Sequence, residues 1–482
     1  MGEVRAHRGG VVICVLALSG TVVALGQTLV IPLLPDLPRV LETSSSNVSW
    51  LVTITLLVSA VTTPIISRLA DMFGKRRMML LCLTVLIAGS MVGALANSLP
   101  GVMLARGVQG FGPALIPIGI SIMRDELEPH QIGSGVALMS VTVGLGAAVG
   151  LPLSGLIYGA MDWHAVFWVS GGMAAVMLVA VVRVVPESKV RTGGRFDYPG
   201  ALLLSASLTL LLLAISMGGQ WRWTSPATVG CFAGAVVIWL VWVPWELRSD
   251  NALVDLRTSV RRPVLLTNMA SVLCGYAMFA NMLSTTQQLQ LPRESGAGLG
   301  LSAAQAGLGM LPGGLAMLFL APVASAISHR GGPRMTLVVG TLIMATGYVA
   351  RIVLHHEVWQ VILGSSIISV GTALTFAAMP VLIMASVPIT ESAAANGINT
   401  LLRTIGTAIS SAALAALMAG QTVVVGVHVF PSLRAFQGGF LLAAAAALMA
   451  ALLGAFLPGR RRTATSLDLS IRTRHVDVPP TL

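Results

Sequence analysis

The chain has 482 residues, of which 55% are hydrophobic and only 10% charged, and its mean hydropathy is +0.86. Those proportions exclude an ordinary soluble globular domain and require a chain folded for a bilayer. The formal net charge of +11 does not point to nucleic acid, because the cations are scattered over short links instead of gathered on one domain.

Fourteen apolar runs are long enough to cross a hydrocarbon core of ~30 Å as helices. In chain order they are 11–35, 48–70, 78–96, 100–123, 132–160, 165–185, 198–217, 227–245, 264–289, 303–327, 335–354, 358–385, 393–419 and 435–457. The expected fold class is therefore an all-α polytopic membrane protein with 14 transmembrane helices. The first run follows a basic head but is too long for a cleaved signal core, and no A-x-A site follows it. An even count puts both termini on one side, and the cations choose it. Of the 29 Lys and Arg residues, only Arg39, Arg222, Arg293, Arg351 and Arg434 fall on links or span ends of the side away from the termini, while Arg106 and Arg403 lie within spans. Retention of cations inside then makes both termini cytoplasmic. Trp50, Trp163, Trp221, Trp223 and Trp359 stand at outer span ends, with Trp242 and Trp245 at an inner one, as interfacial belts do.

The second and third runs are joined by Ser67-Arg-Leu-Ala-Asp71-Met-Phe-Gly74-Lys75-Arg76-Arg77. A cationic stop signal explains Lys75, Arg76 and Arg77; it does not explain Asp71 or Gly74. The fourth run carries Leu104-Ala-Arg106-Gly107-Val-Gln109-Gly110-Phe-Gly112 and closes on Arg124-Asp125. Arg106 lies about two turns inside, where a charge is costly unless paired or wetted. It either faces a central cavity or is a structural cation held by Gln109 or by first-span backbone freed by Pro32. The fifth run is spaced by Gly144, Gly146, Gly150, Pro152 and Gly155, which favours close helix packing and a weakened turn at the proline. Phe196-Asp197-Tyr-Pro-Gly200 opens the seventh run.

In the ninth run Asn281, Ser284, Thr285 and Gln288 share one helical face, and in the twelfth so do Ser365, Ser369 and Thr372. Such stripes either line a polar path or bond neighbouring helices. Asn399-Thr-Leu-Leu-Arg403-Thr-Ile-Gly406 marks the thirteenth run. Cys14, Cys82, Cys231 and Cys274 sit in apolar runs with no metal or disulfide spacing, and the eight histidines lie in tails, links or span ends. No metal or cofactor is expected. The tail after Pro458 is polar and reads as disordered, with Arg460, Arg461 and Arg462 near anionic lipid.

Taken together, these motifs resemble the major facilitator superfamily, specifically its fourteen-span drug:proton antiporter group. The link at 67–77 is similar to G-x-L-A-D-R-x-G-R-R, with Ser67 and Met72 departing from it. The fourth run is similar to R-G-x-Q-G-x-G, and the fifth to the group's Gly/Pro antiporter motif with the proline displaced by one position. Trp163-His-Ala-Val-Phe167-Trp168 is an imperfect match to W-R-W-x-F-x-x-N. The resemblance implies two six-helix bundles, 1–190 and 251–458, a two-helix insert at 191–250, and a cytoplasmic tail at 459–482. It implies an inner gate of Asp71, Gly74, Lys75, Arg76, Arg77, Arg124 and Asp125, with Arg76 or Arg77 pairing across the halves. Arg106, Gln109, Gln27, Asp36, Asn281, Thr285, Gln288 and Arg403 become candidates for the cavity or for coupling. Gly146, Gly150, Pro152 and Gly155 would seal the halves and permit hinging. The family's first-span acid is absent, with Gly26 in its place, so Asp36 at the mouth is the nearest carboxylate, and it reads equally as a cap.

Expected partners are the bilayer, a small-molecule substrate and protons, in a monomer of the bacterial plasma membrane. Two functions stay open: a proton-driven exporter of drugs or amphipathic molecules by alternating access, or a facilitator or lipid/metabolite transporter of the same fold without strict coupling. A membrane-embedded enzyme or sensor would need buried acid pairs or a soluble domain that the chain does not supply, and an ATP-driven pump would need G-x-x-x-x-G-K-[ST].

Overall fold

The computed structural model describes residues 2–458 except Pro35, Asp250 and Val427, so the tail and its arginines lie outside the described residues. The first half of the chain forms α1 (Gly2–Thr28), a short α2 (Leu37–Val40), α3 (Ser45–Phe73), α4 (Lys75–Leu95), α5 (Leu99–Gln109), α6 (Leu115–Glu126), α7 (Pro129–Ala160) and α8 (His164–Val184). Next come α9 (Tyr198–Trp221), α10 (Pro226–Arg248) and a short α11 (Leu256–Ser259). The second half is α12 (Arg262–Gln290), α13 (Ala303–Gly331), α14 (Pro333–Val353), α15 (Val358–Met384), α16 (Ser392–Gly420) and α17 (Leu433–Ala455). Among the described residues 11 helices are long and apolar enough to cross a membrane, or up to 12 if a bent pair counts as one span. That pair lies in α13, where the helix turns by 44° at Pro322.

The expected fourth span is not one helix. α5 stops at Gln109 and α6 starts at Leu115, joined through a 3-10 turn, Gly112–Ala114. Pro113 has no N–H to give back to the preceding turn, and three glycines on its N-terminal side lower helix propensity. The hydroxyl of Thr62 in α3 takes up one loosened carbonyl, donating to Gly110 O at 3.3 Å. A second surprise is an antiparallel hairpin between α16 and α17, β1 (Thr422–Val425) and β2 (His428–Pro431), paired with Val424 opposite Val429.

Packing follows small residues, as it must where lipid gives helices no hydrophobic reason to associate. In one set of contacts α1 lies on α7, α4 on α8 and α3 on α5; in another α14 lies on α15 and α17, and α12 on α16. The sets meet along α7–α13 and α3–α16, while α9 and α10 pair and lean on α3 and α16 through α9. α12 and α16 cross almost backbone to backbone: a Cβ on Gly406 would fall 2.0 Å from Val272 O, and one on Gly275 would fall 2.3 Å from Arg403 O.

Gly406→Val is therefore expected to cost ~1–3 kcal/mol by forcing this crossing apart. Gly420→Val, at a position with nothing within 4 Å of a Cβ, serves as control. Thermal unfolding in detergent checks this, and equal melting of the two variants would contradict it.

Candidate functional site

The basic link folds into a latch between the two halves. α3 and α4 are separated by Gly74 alone, whose φ of +120° few side-chain-bearing residues adopt. A Cβ there would also meet Glu187 Oε1 at 2.7 Å. The sharp turn puts Asp71, in the last turn of α3, against the start of α16, and Asp71 is completely buried. Its carboxylate accepts the N–H groups of Ala393 (3.3 Å) and Ala394 (2.8 Å). Those are orphan donors of a first helical turn, at the positive end of the helix dipole. Lys75, equally buried, places Nζ 3.8 Å from Asp71 and 2.5 Å from Asp125, whose carboxylate also accepts from Ser188 Oγ at 2.5 Å.

Arg124 reaches from α6 to the other half, donating to Ser392 Oγ (2.5 Å), Val387 O (3.1 Å) and Pro388 O (3.3 Å). The extended link before α9 straps the same joint: Thr192 N donates to Asp71 O at 2.8 Å and Thr192 Oγ1 to Thr390 O at 2.7 Å. Small residues allow the approach, since a Cβ on Gly397 would lie 2.6 Å from Ser67 Oγ. Arg76 and Arg77 do not cross, contrary to expectation. Arg76 donates to Val182 O from its guanidinium and to Glu187 Oε1 from its backbone N–H (3.2 Å), and Arg77 stands 3.8 Å from Glu187, all within the first half. The crossing cation is Arg124, because the last turn of α6 lies at α16, whereas the first turn of α4, which carries Arg76 and Arg77, lies against the segment from the end of α8 to Glu187.

Beyond the latch lies a cavity of about 240 Å³, lined from both halves by α1, α3, α5, α12, α13, α15 and α16 among others. Gln27, Arg106, Asn281 and Arg403 line it; Asp36, Gln109, Thr285 and Gln288 do not. Arg106 does both things its sequence left open. It borders the cavity, and it donates to Gly26 O (3.0 Å), Gln27 O (3.4 Å) and Gln109 Oε1 (2.9 Å), where α1 ends ahead of Pro32. Gln109 passes the chain on, donating to Ser90 Oγ at 3.0 Å. Asp36 stands at the N-cap of α2 without a side-chain capping bond, near Tyr158.

The ninth-run stripe turns mostly away from the cavity because a second buried cation claims it. Arg351 of α14, fully buried and expected at an outer span end, donates to Thr285 Oγ1 (2.5 Å), Gln288 Oε1 (2.6 Å) and Asn281 Oδ1 (3.3 Å). Its guanidinium also lies 4.5 Å from the centre of the Phe440 ring. Three acceptors on one face need a donor, and Arg351 is the one cation inside the run 335–354. That was the signal in the sequence, and spacing alone could not say which helix supplied it.

The glycines of α7 divide their work. Cβ atoms on Gly146 and Gly150 would strike Ala24 (2.3 Å) and Thr28 (2.0 Å) of α1 in the same half, while one on Gly144 would strike Met317 (2.1 Å) of α13. Gly155 faces Ala304 at an ordinary 3.9 Å. The expected seal against the opposite half thus rests on Gly144 more than on Gly146 or Gly150. α7 continues as helix through the buried Pro152.

The profile of the Major Facilitator Superfamily matches residues 16–411, with a second match over 276–480. The chain belongs to that family. This transporter is a multi-pass membrane protein and not an enzyme. It is 28% identical over 391 residues to the multidrug resistance protein Stp of Mycobacterium tuberculosis, across 80% of this chain and 71% of that protein. It is 26% identical over 415 residues to the tetracenomycin C resistance and export protein of Streptomyces glaucescens, across 84% and 75%. Its fold is similar to the human organic anion transporter MFSD10, with a TM-score of 0.67 and 17% identity over 92% of this chain and 99% of that one.

Arg351→Ala in this transporter is expected to lower stability by ~3 kcal/mol, since it opens a cavity where a fully buried side chain stood and leaves Gln288 Oε1 without a partner. Arg77→Ala, at an exposed position, is expected to shift it by less than ~0.5 kcal/mol. Melting temperatures of the two variants in detergent check the contrast, and similar losses would refute it.

Proposed function

We propose that this transporter is a secondary active exporter of drugs or other amphipathic small molecules, working by alternating access. The carrying observation is the buried Asp71 carboxylate capping α16 of the other half. A carboxylate buried between two halves, held by helix N–H groups and Lys75, is a contact that must break if the cavity is to open at that end. Export of drug-like molecules is supported by the relatives, named for multidrug resistance and for resistance to and export of tetracenomycin C.

In this reading each of the fourteen predicted runs is a span, the fourth one broken. Residues 1–190 and 251–458 form two six-helix bundles, and α9 with α10 forms the insert. The latch end faces the cytoplasm, both termini lie there, and the monomer sits in the bacterial plasma membrane. Protons are the driving partner. The cytoplasmic gate is Asp71, Gly74, Lys75, Arg124 and Asp125, with Arg76 and Arg77 bracing α4 against the segment after α8.

One observation favours the second reading, a transporter of the same fold without strict proton coupling. Among the described residues no carboxylate lines the cavity, and Gly26 holds the place of the family's first-span acid. Uptake of tetracenomycin C into inverted vesicles decides between them. Uptake that appears only with an imposed pH gradient supports the exporter, and gradient-blind flux supports the alternative. Asp71→Asn and Arg106→Ala are each expected to cut uptake at least about tenfold while the protein stays in the membrane, equivalent to ~1.4 kcal/mol or more. Wild-type rates in both would sink these role assignments.

A further inference from the structure

The charge inside the cavity is one-sided. Arg106 and Arg403 are among the lining residues, and no Asp or Glu is. Arg106 is held by carbonyl and amide oxygens, which satisfy its N–H groups without cancelling its charge. Arg403 has less. Its guanidinium rests 4.6 Å from the centre of the Phe376 ring, and among the described residues it has no hydrogen bond and no ion pair. An aromatic face is a weak partner for a cation drawn out of water, and five N–H donors in a fixed fork stay available to an acceptor.

Two cations buried elsewhere are closely paired. Lys75 has Asp125 and Asp71, and Arg351 has three side-chain acceptors. Arg403, half-buried in the cavity wall where a substrate would lie, has no such partner among the described residues. The rest of the wall is suited to an apolar body: Met278, Phe279, Met282, Met310 and Met317 adapt their shape to what they touch. Buried guanidinium without a counter-charge is stabilised by a carboxylate or sulfonate, which it can bind with two parallel hydrogen bonds. A cationic ligand would meet two like charges in a medium that screens them poorly.

We propose that the cavity selects amphipathic anions, a single carboxylate or sulfonate on an apolar ring system, with the acidic group paired to Arg403 and the rings against the methionines. This rests on the cavity being the transport site, and it deepens the exporter reading by naming the charge of the substrate. The polar side chains that share the cavity with Arg403 include Gln27 and Thr407.

The test is fluorescence titration of the full chain in nanodiscs of zwitterionic lipid with three probes that share one ring system: pyrenebutyrate, pyrenebutanol and pyrenebutylamine. The acid is expected to bind tightest and the amine weakest. Arg403→Gln is expected to weaken the acid roughly tenfold or more and leave the alcohol unchanged, and Arg403→Lys to recover part of the loss. Binding of the amine as tight as that of the acid overturns the proposal. So does a lack of saturable acid binding, or a loss in Arg403→Gln that is equal for acid and alcohol, which marks a merely structural residue. Flux assays in vesicles separate the two readings. Transport of the amine but not the acid overturns the anion assignment and leaves export standing. Charge-selective binding with no flux of any probe removes export and supports the site.

Discussion

A carboxylate that sits in a dry joint between two halves of the chain has to be answered by something on the far side, and Asp71 is answered by the bare N–H groups of a helix. The choice of partner matters. A buried Arg would hold the joint with an ion pair whose breakage leaves two uncompensated charges, at ~3–5 kcal/mol. Helix N–H groups and their dipole hold it more gently, on the order of 1–3 kcal/mol, and water can replace them once the joint opens. A latch of about 2–3 kcal/mol biases two states by roughly 30- to 150-fold, which is decisive without being permanent. One proton moving down a 100 mV potential supplies ~2.3 kcal/mol, a comparable amount. Lys75, Asp125 and Asp71 all belong to the first half, so parting the joint need not separate these charges from one another.

The remainder of the molecule suits the opening and closing proposed for this joint. Where helices must approach, the chain uses glycine or serine: Gly397 over Ser67 at the latch, Gly275 and Gly406 between α12 and α16, Gly146 and Gly150 against α1. The last two contacts lock helices of the same half together, and the Arg106 and Arg351 networks do likewise. Each guanidinium ties the bundle's cavity-facing helix, α1 in one case and α12 in the other, to a neighbour of its own half. Rigid halves with a small, polar and breakable contact between them are what a rocking motion requires.

Much of this was legible in the residues. Asp71 and Gly74 stood out because a stop signal has no use for an acid or a glycine, and the structure gathers them with Lys75 and Asp125 in one place. Phe196-Asp197-Tyr-Pro-Gly200 was read as the opening of the seventh run, and α9 starts there, with the Asp197 carboxylate accepting from Gly200 N at 3.0 Å. What was illegible had one cause. Periodicity reports which residues share a face and says nothing of what the face meets. The 281–285–288 stripe was visible, but its partner Arg351 lies 66 residues from Thr285 and belongs to a helix end. Arg124 and Arg76 are both cations at inner span ends, and only the direction of α6 toward α16 makes the first cross and leaves the second at home. The break between α5 and α6 was written in Gly110, Gly112 and Pro113, yet apolar length overrode it as a reading.

The claim on which the account turns is that Asp71, through the N-terminus of α16, sets which end of the molecule is shut. Spin labels on the exposed Phe73 and Ala385, at the latch end of the two halves, measure this directly by electron–electron distance in a background lacking the four native cysteines. The account predicts a short, narrow distance for the wild type and a shift toward longer distances in Asp71→Asn. Superimposable distributions for the two proteins would contradict it.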